Sequence, residues 1–371
     1  MLLVKHGTII DGTGKPGFKK DLLINNDRIV AIGDFSGKKN IEIIDALGCI
    51  VAPGFIDIHS AINDQAAQND TKQEAYLREG ITSIIVGHRE ASYAGKTKTN
   101  MNGLRINLGA QIEYEPIRQI VVGGDIERDL VEWELKTIMQ IIEKAFREGA
   151  CGISTGVEYK NRIHITHREL KMVASMVAKS GKYHMTRLRD EEIGLHNAIQ
   201  ETIAIAQETG ATTVISCVSA QKGHEAEMKE IMAEIDAVSQ KTKLFVECTP
   251  TKNTILPIYM LLPIWARQGS LAHISETLEN HEECRRIKAA MHIARPELIK
   301  IIDAPQNTYL TEKTIETIAK NRHVDPEQAL IEIIRQTKGE ATITWKNINI
   351  KAQEELAHHE RVIISAGNAM L

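Results

Sequence analysis

The stretch Ala52-Pro53-Gly54-Phe55-Ile56-Asp57-Ile58-His59-Ser60-Ala61 carries the first chemistry in the chain. Side chains alternate along a strand, so an apolar run ending in His-X-His turns two imidazoles to one side, the start of a metal site. Here His59 has only the methyl group of Ala61 as its companion. A second group lies in Thr186-Arg187-Leu188-Arg189-Asp190-Glu191, where Arg187 and Arg189 share one strand face. With Arg89 following another strand, these arginines predict a forked site for a carboxylate ligand or, with Asp190 and Glu191, an internal ion-pair set. Cys217, among Val214, Ile215 and Val218, reads either as a small buried hydrophobe or as a thiolate.

These groups need a frame that gathers strand ends. From about residue 50, strands and helices alternate, which predicts a parallel sheet with helical crossovers. Candidate strands are Ile50–Ile58, Thr82–Val86, Ile106–Gln111, Cys151–Ser154, Tyr183–Leu188, Thr212–Ser216, Leu244–Cys248 and Val362–Ser365. Candidate helices are Trp133–Glu148, Arg168–Lys179, Glu192–Thr209 and Glu225–Ser239, with Thr166 and Glu169 forming a capping box. Three more, Glu276–Ala290, Thr311–Asn321 and Pro326–Gln336, fall between the seventh and eighth strands. Eight strands with crossovers predict a (β/α)8 TIM-like barrel over residues 51–371, with its chemistry at the C-terminal strand ends. Residues 1–50 instead show short β-branched runs separated by Gly, Asn and Asp turns, which predicts a small β-domain. Gly12-Thr13-Gly14-Lys15-Pro16-Gly17 matches a dinucleotide fingerprint, but Pro16 and the strand after it leave no helix N-terminus for a pyrophosphate.

Composition removes several classes. The 45 Lys and Arg are scattered among 49 Asp and Glu, for a net charge of −4, so neither nucleic acid nor an anionic membrane is an expected partner. The chain opens without a secretory signal pattern and has no long apolar span. Five dispersed cysteines, Cys49, Cys151, Cys217, Cys248 and Cys284, argue against a disulfide framework and, with no CxxC pair, against a structural zinc. The expectation is a soluble cytoplasmic protein.

Several segments, in order, resemble the amidohydrolase superfamily and, within it, the N-acyl-D-amino acid deacylase (D-aminoacylase) family. They are the stretch up to Asp57, Glu79-Gly80-Ile81-Thr82-Ser83-Ile84-Ile85-Val86-Gly87, and Glu148-Gly149-Ala150-Cys151-Gly152-Ile153-Ser154-Thr155-Gly156-Val157-Glu158-Tyr159. Leu188-Arg189-Asp190-Glu191, Val214-Ile215-Ser216, Leu261-Leu262-Pro263-Ile264-Trp265 and Arg361-Val362-Ile363-Ile364-Ser365 continue the series. The resemblance implies a metallo-dependent-hydrolase barrel joined to a β-sandwich, and zinc-bound water that cleaves an N-acyl-D-amino acid. It also implies further sandwich strands after the last barrel strand. This sequence stops at Leu371, so the sandwich begun by residues 1–50 is expected to be partial, its edges open to another copy or to a partner chain.

The chain departs from the family pattern where the metal is held. Ala61 replaces the second imidazole of the first strand, and His88, Arg89 and Glu90 follow Gly87 where the family commonly has a cysteine ligand. Arg187 and Cys217 occupy two further histidine positions, and Ala366 occupies that of the catalytic aspartate. Zinc catalysis needs three protein ligands and an open position, and His59, His88 and Cys217 are the candidate set. Against it, Arg187 is a permanent cation aimed at the same place. Arg187, Arg189 and Glu191 are the candidate substrate-binding group. Three readings follow: an impaired or inactive homologue that binds a small carboxylate or N-acyl amino acid, an active hydrolase with an altered mononuclear zinc, and a structural subunit of a larger assembly.

Overall fold

A computed structural model describes residues 1–35, 37, 41–60, 69–87, 103–123, 128–156, 165–189, 195–267 and 271–366. Ala61, His88, Arg89, Glu90, Asp190 and Glu191 lie outside the described residues. The chain divides into two compact units: Met1–Ile56 with Tyr76–Ser83, and Asp57–Ala75 with Ile84–Leu371.

The first unit holds the short strands predicted from its β-branched runs. Strands β1 (Leu2–Lys5), β4 (Asp21–Asn25), β5 (Arg28–Gly33) and β6 (Glu42–Asp45) form one sheet in the order β5-β4-β1-β6. Strands β2 (Thr8–Ile9), β3 (Phe18–Lys19) and β7 (Ile50–Val51) form a second, ordered β3-β2-β7. Gly12 and Gly14, both at φ +79°, make a turn that leads into β3 rather than a helix, so no phosphate cradle forms. Ile29, Val30, Ile32, Ile43 and Ile44 are exposed, all on the edge strands β5 and β6.

An eight-stranded parallel sheet curls into a nearly closed barrel. Its strands are β8 (Phe55–Asp57), β9 (Ile81–Val86), β10 (Asn107–Glu113), β11 (Gly152–Thr155), β12 (Tyr183–Thr186), β13 (Thr212–Ile215), β14 (Leu244–Cys248) and β18 (Val362–Ile364). Every predicted barrel strand is present. The first is shorter than expected because Pro53 and Gly54 split the apolar run: Ile50–Val51 pairs with Thr8–Ile9, and only Phe55–Asp57 enters the barrel. Helices Glu132–Arg147, His167–Ser180, Leu195–Thr209 and Glu225–Ala237 follow their strands as predicted. The capping box closes as read, with Thr166 accepting the Glu169 backbone N–H at 3.2 Å.

The span between β14 and β18 holds more than the three predicted helices. Strands β15 (Thr254–Pro257), β16 (Ile299–Asp303) and β17 (Thr342–Trp345) form an antiparallel sheet, ordered β15-β17-β16. The helices of this span bury a core of their own that includes Ile274, Leu278, Ile287, Ile301, Leu330, Ile334 and Ile343. The single helix expected over 276–290 is two, Leu271–Glu279 and His281–Ala290. Asn280 ends the first and caps the second, its side chain accepting the N–H groups of Glu282 and Glu283.

Candidate functional site

Period-two alternation decides which side chains enter the barrel. On β14, Leu244, Val246 and Cys248 pack outward into a helix-side core, so Phe245 and Glu247 face the interior. Glu247 is fully buried and becomes the centre of a network at the strand ends. Its Oε2 accepts from His59 Nδ1 at 2.9 Å and from the Cys217 backbone N–H at 2.7 Å. Its Oε1 accepts from the Ser365 hydroxyl and, at 3.4 Å, from the Thr249 hydroxyl. Two oxygens thus receive four donors from four strand ends, which uses the acceptor capacity of an ionised carboxylate. Burial pushes the Glu247 carboxyl up, but His59 and these hydrogen bonds overrule it and hold the pKa at about 2.

His59 and Cys217 lie together here, with Nδ1 4.0 Å from Sγ. Burial alone would drive His59 toward the neutral form, yet the charges of Cys217 and Glu247 raise its pKa to about 10. For Cys217, burial opposes ionisation, and Arg187 and His59 outweigh it, leaving the thiol below its ordinary value. Cys217 is also held at φ +62°, a left-handed backbone unusual for a side chain larger than glycine. Arg187 is buried beside it: Thr186 and Ile215 pair in register, and the N–H of Ser216 donates to the Thr186 carbonyl at 2.9 Å.

The remaining predicted residues separate. Arg189 does not offer its fork to a ligand at the mouth. It already holds Glu201 of helix Leu195–Thr209 by Nε at 2.9 Å and Nη2 at 3.0 Å, while Nη1 donates to the Ile165 carbonyl. Ala366 presents no acid; burial raises the neighbouring Asp57 carboxyl above its ordinary value, opposed only in part by hydrogen bonds that include the Ala366 backbone amide. Sequence reading missed Glu247 and Ser365; the available signal was an acid at an inward position of an otherwise apolar strand.

His59, Cys217 and Glu247 each offer one ligand atom, all within 4.8 Å of one another, and are the described residues that come nearest to a metal centre. Donor chemistry weighs against the ion. Glu247 has its lone pairs occupied, His59 directs Nδ1 at that carboxylate, and Arg187 puts a fixed positive charge beside the sulfur.

No family model matches the chain. It is 29% identical over 242 residues to a D-aminoacylase of Alcaligenes xylosoxydans xylosoxydans, covering 58% of this chain and 50% of that protein. It is also 29% identical over 241 residues to an N-acyl-D-glutamate deacylase of the same organism, covering 58% and 49%. The crystal structure of an N-acyl-D-glutamate deacylase from Bordetella bronchiseptica, complexed with zinc and a phosphonate inhibitor, superposes with a TM-score of 0.78 at 21% identity, over 98% of this chain and 75% of that one. The chain resembles the D-aminoacylase branch of the amidohydrolase superfamily. A crystal structure of D-aminoacylase agrees with a TM-score of 0.74 at 21% identity, over 99% and 75%, and at such identity the likeness speaks for the fold. The chain spans about half the length of the curated relatives it matches.

Proposed function

We propose that this amidohydrolase barrel binds a small carboxylate or an N-acyl amino acid at its mouth and does not hydrolyse it through zinc. The observation that carries the reading is the four-donor environment of Glu247, which leaves that carboxylate without a lone pair for a metal. The charges agree: the Glu247 carboxylate and the Cys217 thiol, drawn toward its anionic form, offset His59 and Arg187 with no ion added. Ala366 supports the same reading, since alanine cannot relay a proton where the family resemblance calls for a base. Arg187, buried at the end of β12, is the residue assigned to the ligand carboxylate. Five free cysteines suit a reducing compartment, and the proposal places the protein in the cytoplasm.

The test is incubation of the full chain with N-acetyl-D-amino acids and added zinc, beside calorimetric titration of the same compounds. Binding without product release is the expected result, and Arg187→Ala should weaken it. Turnover above about 1 s⁻¹, within the ordinary enzyme range, would overturn the reading. In that case the second reading holds: an altered mononuclear hydrolase, which the closeness of His59, Cys217 and Glu247 favours.

A further inference from the structure

We propose that Cys217 is a modification site, its sulfur the nucleophile of a metal-free thiol–imidazole pair that reacts with compact uncharged electrophiles such as peroxides. The inference rests on the metal-free reading above and adds a reaction to it. Geometry places the sulfur 4.0 Å from His59 Nδ1, and strand pairing puts Arg187 at the adjoining strand end. Two cationic side chains border the thiol and outweigh the Glu247 carboxylate of the same cluster, the setting in which cysteines become nucleophilic. The Cys217 backbone is pinned by its N–H on Glu247 at 2.7 Å, so the sulfur keeps its place beside His59. Cys217, Val218 and Ser219 are half-buried residues, so this strand end is nearer to solvent than Cys248 on β14, which is fully buried. Cys217 sits between buried Arg187 and buried Ser216, which favours small reagents over bulky ones. Burial raises the Cys248 thiol to about 12, which leaves it inert by comparison.

The step balances without a further cofactor. The thiolate sulfur attacks one oxygen of hydrogen peroxide, an S–O bond forms, and the O–O bond breaks. Hydroxide leaves and takes a proton from solvent. Cysteine is oxidised to sulfenic acid while the peroxide is reduced to water.

Iodoacetamide serves as the probe, since the same sulfur displaces iodide to form an S–C bond. The full chain is alkylated at neutral pH in a time course, and each cysteine is followed by peptide mass spectrometry, with exposed Cys49 as the reference in the same tube. Cys217 should react at least about tenfold faster than Cys49. Arg187→Met and His59→Gln should slow Cys217 alone, leaving the Cys49 rate unchanged. After peroxide treatment, a sulfenic-acid reagent should tag Cys217. In zinc-free protein, a Cys217 rate at or below that of Cys49 overturns this inference while leaving the metal-free reading intact. Slow labelling that a chelator restores would show a metal on the sulfur, and both would fall.

Discussion

Nδ1 of His59 lies 2.9 Å from Oε2 of Glu247, a buried pair that joins the first barrel strand to the seventh across 188 positions of sequence. The pair is both a structural tie and the electrostatic heart of the site. Each partner is ionised because the other is.

Replacing Glu247 by glutamine keeps the size and removes the charge, so His59 is left as a buried cation facing an amide. The expected loss is about 3–5 kcal/mol of unfolding free energy, the usual result of stripping one member from a buried ion pair. Urea unfolding of parent and Glu247→Gln at pH 6 measures it. A difference within about 0.5 kcal/mol, the range of ordinary surface changes, would mean that the carboxylate is solvated and the pair is not a structural tie.

The same pair sets a pH signature. Glu247 is held at about 2 against an ordinary carboxyl value of 4.5, so its contribution is present above the unfolded value and is lost as pH falls through the folded one. His59 is raised to about 10 from 6.5, so its contribution is full below the unfolded value and fades as pH climbs toward the folded one. The stability gap between parent and Glu247→Gln should therefore be widest between these windows and should narrow toward pH 2 and toward pH 10. Unfolding midpoints across that range check it, and a gap that widens at either extreme contradicts the assignment.

Arg187→His exchanges a fixed cation for an imidazole next to Cys217 and His59. Zinc content by elemental analysis should rise from well below one ion per chain toward full occupancy, because the repelling charge is gone and a neutral donor replaces it. Full occupancy in the unmodified protein would show that Arg187 does not repel the ion.

Gly87 ends β9 at φ +110°, and a Cβ there would lie 2.3 Å from the Gln111 carbonyl oxygen. Gly87→Ala meets a backbone atom that cannot swing away and a conformation hostile to L side chains. A loss of about 2–3 kcal/mol in thermal or urea unfolding is expected. Wild-type stability would imply that β9 and β10 shift apart without cost.

The barrel was legible because its strands are apolar runs at regular intervals and the helix His167–Ser180 carries a clean cap at Thr166 and Glu169. The site was legible only where a residue announced itself, as His59 and Cys217 did at strand ends. Arg189 misled, because alternation gives a side but not a partner, and Glu201 lies on the following helix rather than on the strand. Glu247 was overlooked for the opposite reason. One acid inside Leu244–Cys248 disturbs the strand pattern little, and its importance comes from three other strand ends that converge on it. The sheet of β15, β16 and β17 was hidden among stronger helical signals, and its short strands gain their identity from pairing with one another.

That small sheet bears on how the chain closes its barrel. β14 and β18 are neighbours in the barrel, Val246 opposite Val362, although the whole excursion separates them in sequence. Thr254 pairs with Trp345, so the excursion leaves and returns at one point, like the neck of a purse. Once the neck is drawn, the tether between the last two barrel strands is only as long as the short segments outside it, and the entropy of bringing them together falls accordingly. With its own core to drive it, the excursion can set in place the strand that carries Ser365 to Glu247. The excursion between Glu247 and Ser365 thereby shortens the loop that must close for the charged centre to form.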